Sequence, residues 1–161
     1  MQLDYFKLPY GGQLLLWTSR ILIYGSCRTK PNKYDLINMA YEKVGINKGN
    51  LLLKPFLNLL KNKKSFKIQH LNKRILIDSE IDLINCIEFY KKSNFIKNPY
   101  IELWDLRSDI ATFSSCARNL ALAYKKADLV TNLEICTSNS HKFSSIINRR
   151  FDNNIITKTL H

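Results

Sequence analysis

The chain has 161 residues, 45% hydrophobic and 11% aromatic, enough for one domain with its own core and too apolar for an intrinsically disordered protein. Five glycines and four prolines are too few for a turn-rich β-sandwich. The net charge of +12 is one-sided: residues 1–77 carry 14 Lys and Arg against 3 Asp and Glu, whereas residues 78–161 carry 11 against 10. A general taste for lysine would raise both halves without stripping acids from one. A one-sided basic field is the footprint of a polyanionic partner: nucleic acid, an anionic membrane or an acidic protein surface.

The first twelve residues, MQLDYFKLPYGG, contain an acid and lack the basic region of a signal peptide. The apolar run from Leu14 to Tyr24 is too short to span a bilayer, and Arg20 interrupts it. Arg20 is also the only cation there, too little for a membrane-surface helix. The expectation is a soluble, cytoplasmic protein without a transmembrane segment. The same run is the first predicted helix, about Gln13 to Tyr24, with Leu14, Trp17, Ile21 and Tyr24 at helical spacing and Gly25 as a left-handed stop. So few polar residues make it a central, buried helix.

A basic loop, CRTKPNK, leads to a second helix from about Tyr34 to Val44, with the stripe Tyr34, Ile37, Tyr41 and Val44 and Gly45 ending it. In the third helical stretch, LLLKPFLNLLKNKK, Pro55 would be the fifth residue after an Asn50 cap, where its missing N–H removes a backbone bond. The reading is a break, with the helix starting near Pro55. Next, SFKIQ and KRILI flank HLN, and alternation turns Phe66, Ile68, Ile75 and Ile77 inward and the lysines outward. That pattern predicts a short two-stranded β-ribbon over residues 66–77.

Asp78 or Ser79 caps a fourth helix whose face is Ile81, Ile84, Ile87 and Phe89/Tyr90, with acids at its start and Lys91 and Lys92 at its end. Asn98-Pro99 opens a short helix reaching Leu106. Ser108 or Asp109 caps a long one to about Ala127, striped by Ile110, Phe113, Ala117, Leu120 and Tyr124. After Asp128 the pattern fades. The predicted organisation is therefore mainly α: one domain over 1–128 with five to six helices and a β-ribbon, then a weakly structured tail over 129–161 with a short helix near Phe143 to Phe151.

Signatures of catalysis are missing. The glycines form neither GxGxxG nor GxxxxGK[ST], His70, His141 and His161 build no HExxH, and Cys27, Cys86, Cys116 and Cys136 make no CxxC pair. Cys86 and Cys116 fall on apolar helix faces and read as buried reduced thiols. A Cys116 nucleophile would need a histidine base. No enzyme activity, cofactor or metal is expected.

Two helices, a short turn, a third helix and a basic ribbon follow an order similar to that of a winged helix-turn-helix. The resemblance is one of element order alone. It implies that the third helix enters a groove of a duplex, with Asn47, Asn50, Lys54, Asn58 and Lys61 on one polar stripe. Asn can read adenine edges, and Lys can reach guanine or phosphate. The candidate polyanion-binding residues are Lys48, Lys54, Asn58, Lys61, Lys63, Lys64, Lys67, Lys73 and Arg74. The competing reading is a solvated rim: amphipathic helices in such chains carry Asn and Lys outward, and edge lysines keep strands from pairing. Tyr41, Phe66 and Tyr90 lie on apolar stripes and belong to the core. Trp104 and Arg107, in IELWDLRS, are candidate anchors for a partner, although a tryptophan there would by default staple its helix to the bundle. The function expected is that of a non-enzymatic cytoplasmic protein binding nucleic acid, DNA or RNA, through residues 48–74. The alternative is a protein-interaction module docking on an acidic partner surface.

Overall fold

A computed structural model describes residues 2–92 and 98–132. Its first helix, α1, runs Tyr10–Tyr24 and buries Leu14, Leu15, Leu16, Ile21 and Leu22. Gly25 follows it in an extended conformation, φ −71° and ψ 163°, not the left-handed one. A side chain there is excluded by contact instead, because an ideal Cβ would stand 2.4 Å from the Ile21 carbonyl oxygen.

Helix α2, Lys33–Glu42, starts at a reciprocal cap: Asn32 Oδ1 accepts from the Asp35 N–H at 2.9 Å, and Asp35 Oδ2 accepts from the Asn32 N–H at 3.3 Å. Ile37 and Tyr41 are wholly buried, and Gly45, at φ +85°, turns the chain away.

Helix α3, Gly49–Leu60, passes through Pro55 unbroken, correcting the expected break. Proline deprives the Leu51 carbonyl of its donor. Both residues face outward, with Leu51 63% exposed, so the orphaned acceptor stays in water and the buried face, Leu53, Phe56, Leu57 and Leu60, is undisturbed. Gly49 starts α3 against the Tyr41 ring, where an added Cβ would lie 2.1 Å from a ring carbon.

No sheet forms among the described residues, and the ribbon expected over 66–77 is replaced by an extended strap. Its two arms bond elsewhere. The Lys67 N–H donates to Ser79 Oγ at 3.1 Å, that hydroxyl donates to the Ser65 carbonyl at 3.2 Å, and the Gln69 N–H donates to Glu80 Oε1 at 3.1 Å. The other arm pairs with the N-terminus: Asp4 and Ile75 form an isolated antiparallel bridge, the Tyr5 N–H reaches the Arg74 carbonyl at 2.7 Å, and the Leu76 N–H reaches the Leu3 carbonyl at 2.9 Å. Phe66 and Ile68 point inward as expected, but pairing with the N-terminus reverses the second arm: Leu76 is buried and Ile75 is 41% exposed. Without a wing, the winged-helix order is not formed.

Helix α4, Asp78–Lys91, buries nine of its fourteen residues, among them Glu80, Asp82, Asn85 and Glu88, and so joins α1 at the centre of the bundle. Helix α5, Pro99–Leu103, is capped by Asn98, whose side chain accepts from the Tyr100 N–H at 3.0 Å. A 3₁₀ turn at Arg107–Asp109 leads into α6, Ile110–Lys126. α6 lies against α4 and α3, while α1 lies against α2, α3 and α4. Trp104 is wholly buried, 5.3 Å from the Tyr100 ring, 5.6 Å from Phe66 and 6.1 Å from Phe113. It thereby fixes the strap and α6 to one aromatic cluster.

The fold continues past residue 128. The Thr131 N–H and hydroxyl both donate to Glu88 Oε1 at 2.8 Å, and Lys91 Nζ donates to the Leu129 carbonyl at 2.6 Å. The tail expected from 129 onward lies outside the described residues from 133, and with it the short helix near 143–151.

Two further buried polar systems cross the core. Arg20 on α1, 1% exposed, donates from Nε to Glu80 Oε1 at 2.8 Å, from Nη2 to Oε2 at 3.0 Å and from Nη1 to the Lys73 carbonyl at 2.8 Å. Glu80 also accepts from Gln69 Nε2 at 3.0 Å. Farther along, the hydroxyls of Thr18, Tyr41 and Tyr124 form a chain at 3.2 and 2.8 Å joining α1, α2 and α6. Removing one partner of a buried, hydrogen-bonded ion pair strands the other charge, so Arg20→Met is expected to cost about 3–5 kcal/mol in denaturant unfolding. Burial pushes the Tyr41 phenol up to about 12 from its ordinary 10 and the Tyr124 phenol well up too. A raised acid of this kind supports folding fully below its unfolded value and loses that support as pH rises to its folded one. Alkaline titration should therefore show unfolding by circular dichroism between about pH 10 and 12, with the last tyrosinate absorbance appearing only as the helices melt.

Candidate nucleic-acid interface

The candidate basic residues do not gather in one hollow: Lys54 and Lys61 line one, and Lys73 and Arg74 line another. The first hollow, about 340 Å³, lies where the end of α1, the start of α2 and the outer face of α3 meet. Lys33, Tyr34, Lys54, Asn58, Lys61 and Asn62 line it together with Leu22 and Ile23. Helical spacing brings Lys54, Asn58 and Lys61 to one side of α3, as expected. The upstream end of that stripe departs: the half-buried Asn50 gives its backbone N–H to Asn38 Oδ1 at 3.0 Å, and Asn47 and Lys48 lie outside the hollow. Lys48 caps α3 in the left-handed conformation, φ 54°.

Tyr34 supplies the hollow with an aromatic wall. Lys54 Nζ lies 4.8 Å and Lys33 Nζ 5.4 Å from its ring centroid, and Lys33 Nζ also donates to the Leu22 carbonyl at 2.8 Å. Three lysines, two amides and one phenol converge here, and no acid lines the wall. That set suits an anion with hydrogen-bonding edges.

The second hollow, about 360 Å³, lies between the N-terminal 3₁₀ turn Tyr5–Lys7, α1 and residues 71–74 of the strap. Lys73 and Arg74 reach it beside Tyr5, Phe6 and Trp17. Arg74 is already matched by Asp4 at 2.6 Å. The Phe6 N–H at 2.9 Å, and then Arg74, hold the Asp4 carboxyl below the usual carboxylate range. Lys63 faces Asp109 at 3.7 Å, which weakens its claim as a phosphate ligand. Lys67 on the strap and Lys64 in the turn before it are exposed and line neither hollow. Arg107 is exposed, but its companion Trp104 is inside the core, where it acts as the staple and not as a surface anchor.

Lys33, Tyr34 and Asn62 carry no signal in the sequence that marks them for this surface. Tyr34 opens the apolar stripe of α2, so periodicity alone assigns it inward; its place in the first turn puts the ring at the rim. Among the described residues no group of three or more His, Cys, Asp or Glu is placed to hold a metal, and no helix is long and apolar enough to cross a membrane. Burial pushes the Cys86 thiol well up, with Asp82 adding to it, and pushes the Cys116 thiol up as well, so neither offers a thiolate at neutral pH. Comparison with protein-family models, characterised proteins and solved structures gives no match.

Lys61 and Lys64 are exposed and Lys63 is half-buried, so folding depends little on their charges. Lys61→Gln and Lys64→Gln should each change unfolding free energy by no more than about 0.5 kcal/mol, whereas Lys63→Gln, which breaks a partly exposed ion pair, should cost up to about 1 kcal/mol; chemical denaturation of the three variants checks this.

Proposed function

We propose that this is a cytoplasmic, non-enzymatic nucleic-acid-binding protein whose primary binding surface is the hollow between α2 and α3. The observation that carries the proposal is the convergence of Lys33, Lys54 and Lys61 with Asn58 and Asn62 on one wall without an acid. Lysines there neutralise phosphates, and the two amides present donors and acceptors to base edges. Lys67 on the strap and Lys64 in the turn before it extend the positive field beyond the hollow, which steers a polyanion towards it. Binding needs neither a wing nor a recognition helix laid in a major groove. Its elements are a rigid helix face, a capped helix start and a ring between them.

Binding of this kind is salt-dependent, because each neutralised phosphate releases counterions. Affinity for a mixed-sequence oligonucleotide should fall steeply with ionic strength. The triple variant Lys33→Gln/Lys54→Gln/Lys61→Gln should reduce that logarithmic slope by roughly 0.7–0.9 for each phosphate that it no longer neutralises. Absence of binding at low ionic strength would overturn the proposal. Retention of a protein partner after nuclease treatment, without nucleic-acid affinity, would assign the basic wall to an acidic protein surface instead.

A further inference from the structure

The second hollow differs chemically from the first. Its arginines are already matched, Arg20 by Glu80 and Arg74 by Asp4, which leaves Lys73. What it offers is aromatic surface. Phe6 is 63% exposed and shares the hollow with Tyr5 and Trp17, so it belongs to an aromatic patch and does not stand alone on the surface. The Arg74 guanidinium carbon stands 5.2 Å from the Phe6 ring centroid, and Tyr5 meets the same ring edge-on at 5.3 Å. Trp17, half-buried on α1, completes the wall.

This platform is held in place. The Tyr5 hydroxyl donates to the Gln13 carbonyl at 3.1 Å, and Gln13 Nε2 donates back to the Phe6 carbonyl at 3.3 Å and the Leu8 carbonyl at 3.0 Å. The turn bearing Phe6 is thus tied to α1 from both sides. Little ordering remains to be done on binding.

We propose that this hollow is a stacking site for an unpaired base, so that the ligand class of the protein is single-stranded nucleic acid. The inference rests on the nucleic-acid reading above and deepens it. A duplex keeps its base faces against one another, whereas a single strand exposes a π-face at each nucleotide. A planar ligand joined to phosphates fits a hollow with aromatic walls and one lysine, Lys73, with the exposed Lys67 elsewhere on the strap. The two hollows divide the work: the α2–α3 wall supplies the salt-dependent attraction, and the Phe6–Trp17 wall supplies a contact nearly independent of salt.

The chain has two tryptophans, and Trp104 is wholly buried, so ligand-induced change in emission reports Trp17. The full-length protein is titrated with oligothymidylate, with a single-stranded RNA of equal length and with a duplex of equal length. Both single strands should quench emission and bind more tightly than the duplex. Phe6→Ala should weaken single-strand binding by about 5- to 150-fold with an unchanged salt slope, and Lys54→Gln/Lys61→Gln should lower the slope while leaving the quench at saturation. A preference for only one of the two single strands would keep the stacking site and set the sugar specificity. Equal affinity for single strand and duplex, with unaltered emission and no effect of Phe6→Ala, would overturn the stacking site and leave the polyanion reading standing. No binding of any of the three at low salt would overturn both.

Discussion

One buried ion pair organises this molecule. Arg20 is the lone cation in an otherwise apolar helix, and burying it demands an anion and further acceptors. Glu80 supplies the anion from the first turn of α4, and the Lys73 carbonyl supplies a third acceptor from the strap. The same carboxylate accepts from the backbone and side chain of Gln69. α1, α4 and both arms of the strap therefore meet at one charge pair. The position of the strap fixes the second hollow, and the N-terminus pairs along it at Asp4 and Ile75. Such a pair contributes little net stability against an apolar substitute, yet its hydrogen bonds tie α1, α4 and both arms of the strap to one point.

Much of the helical frame is legible in the sequence because its signals are local. Gly45, the Asn98-Pro99 start and the stripe Phe113, Ala117, Leu120 and Tyr124 each act over one or two turns. The departures share a different cause. Pro55 reads as a breaker because its missing donor is visible in sequence, while the outward direction of the orphaned carbonyl is not. Phe66 and Ile68 alternate as a strand does, but a strand also needs a partner ladder, and the side chains of Ser79 and Glu80 take that place. Ile75 and Leu76 exchange faces because their neighbour is the N-terminus, some seventy residues away in sequence. Arg20 and Glu80 are each visible in sequence, one as an interruption and the other as a dipole partner; nothing local connects residues sixty apart.

The candidate surface is legible in charge but not in shape. Acid depletion over residues 1–77 points to the half of the chain that carries both hollows. It does not reveal that Lys63 and Arg74 are matched by Asp109 and Asp4, nor that Lys33 joins Lys54 and Lys61 across Tyr34. The structure divides the basic half of the chain into two unlike hollows, one rich in lysine and one rich in aromatic surface.

The strap is fastened by carbonyls, amides and its inward side chains, so its outward side chains answer to few folding constraints. At Lys67, and at Lys64 in the turn before the strap, the chemistry facing solvent can change without loosening a fastening. Natural variation there could raise or lower the positive field in single-charge steps while the scaffold stayed the same. A surface built this way lets selection adjust attraction to a ligand as one trait and stability as another.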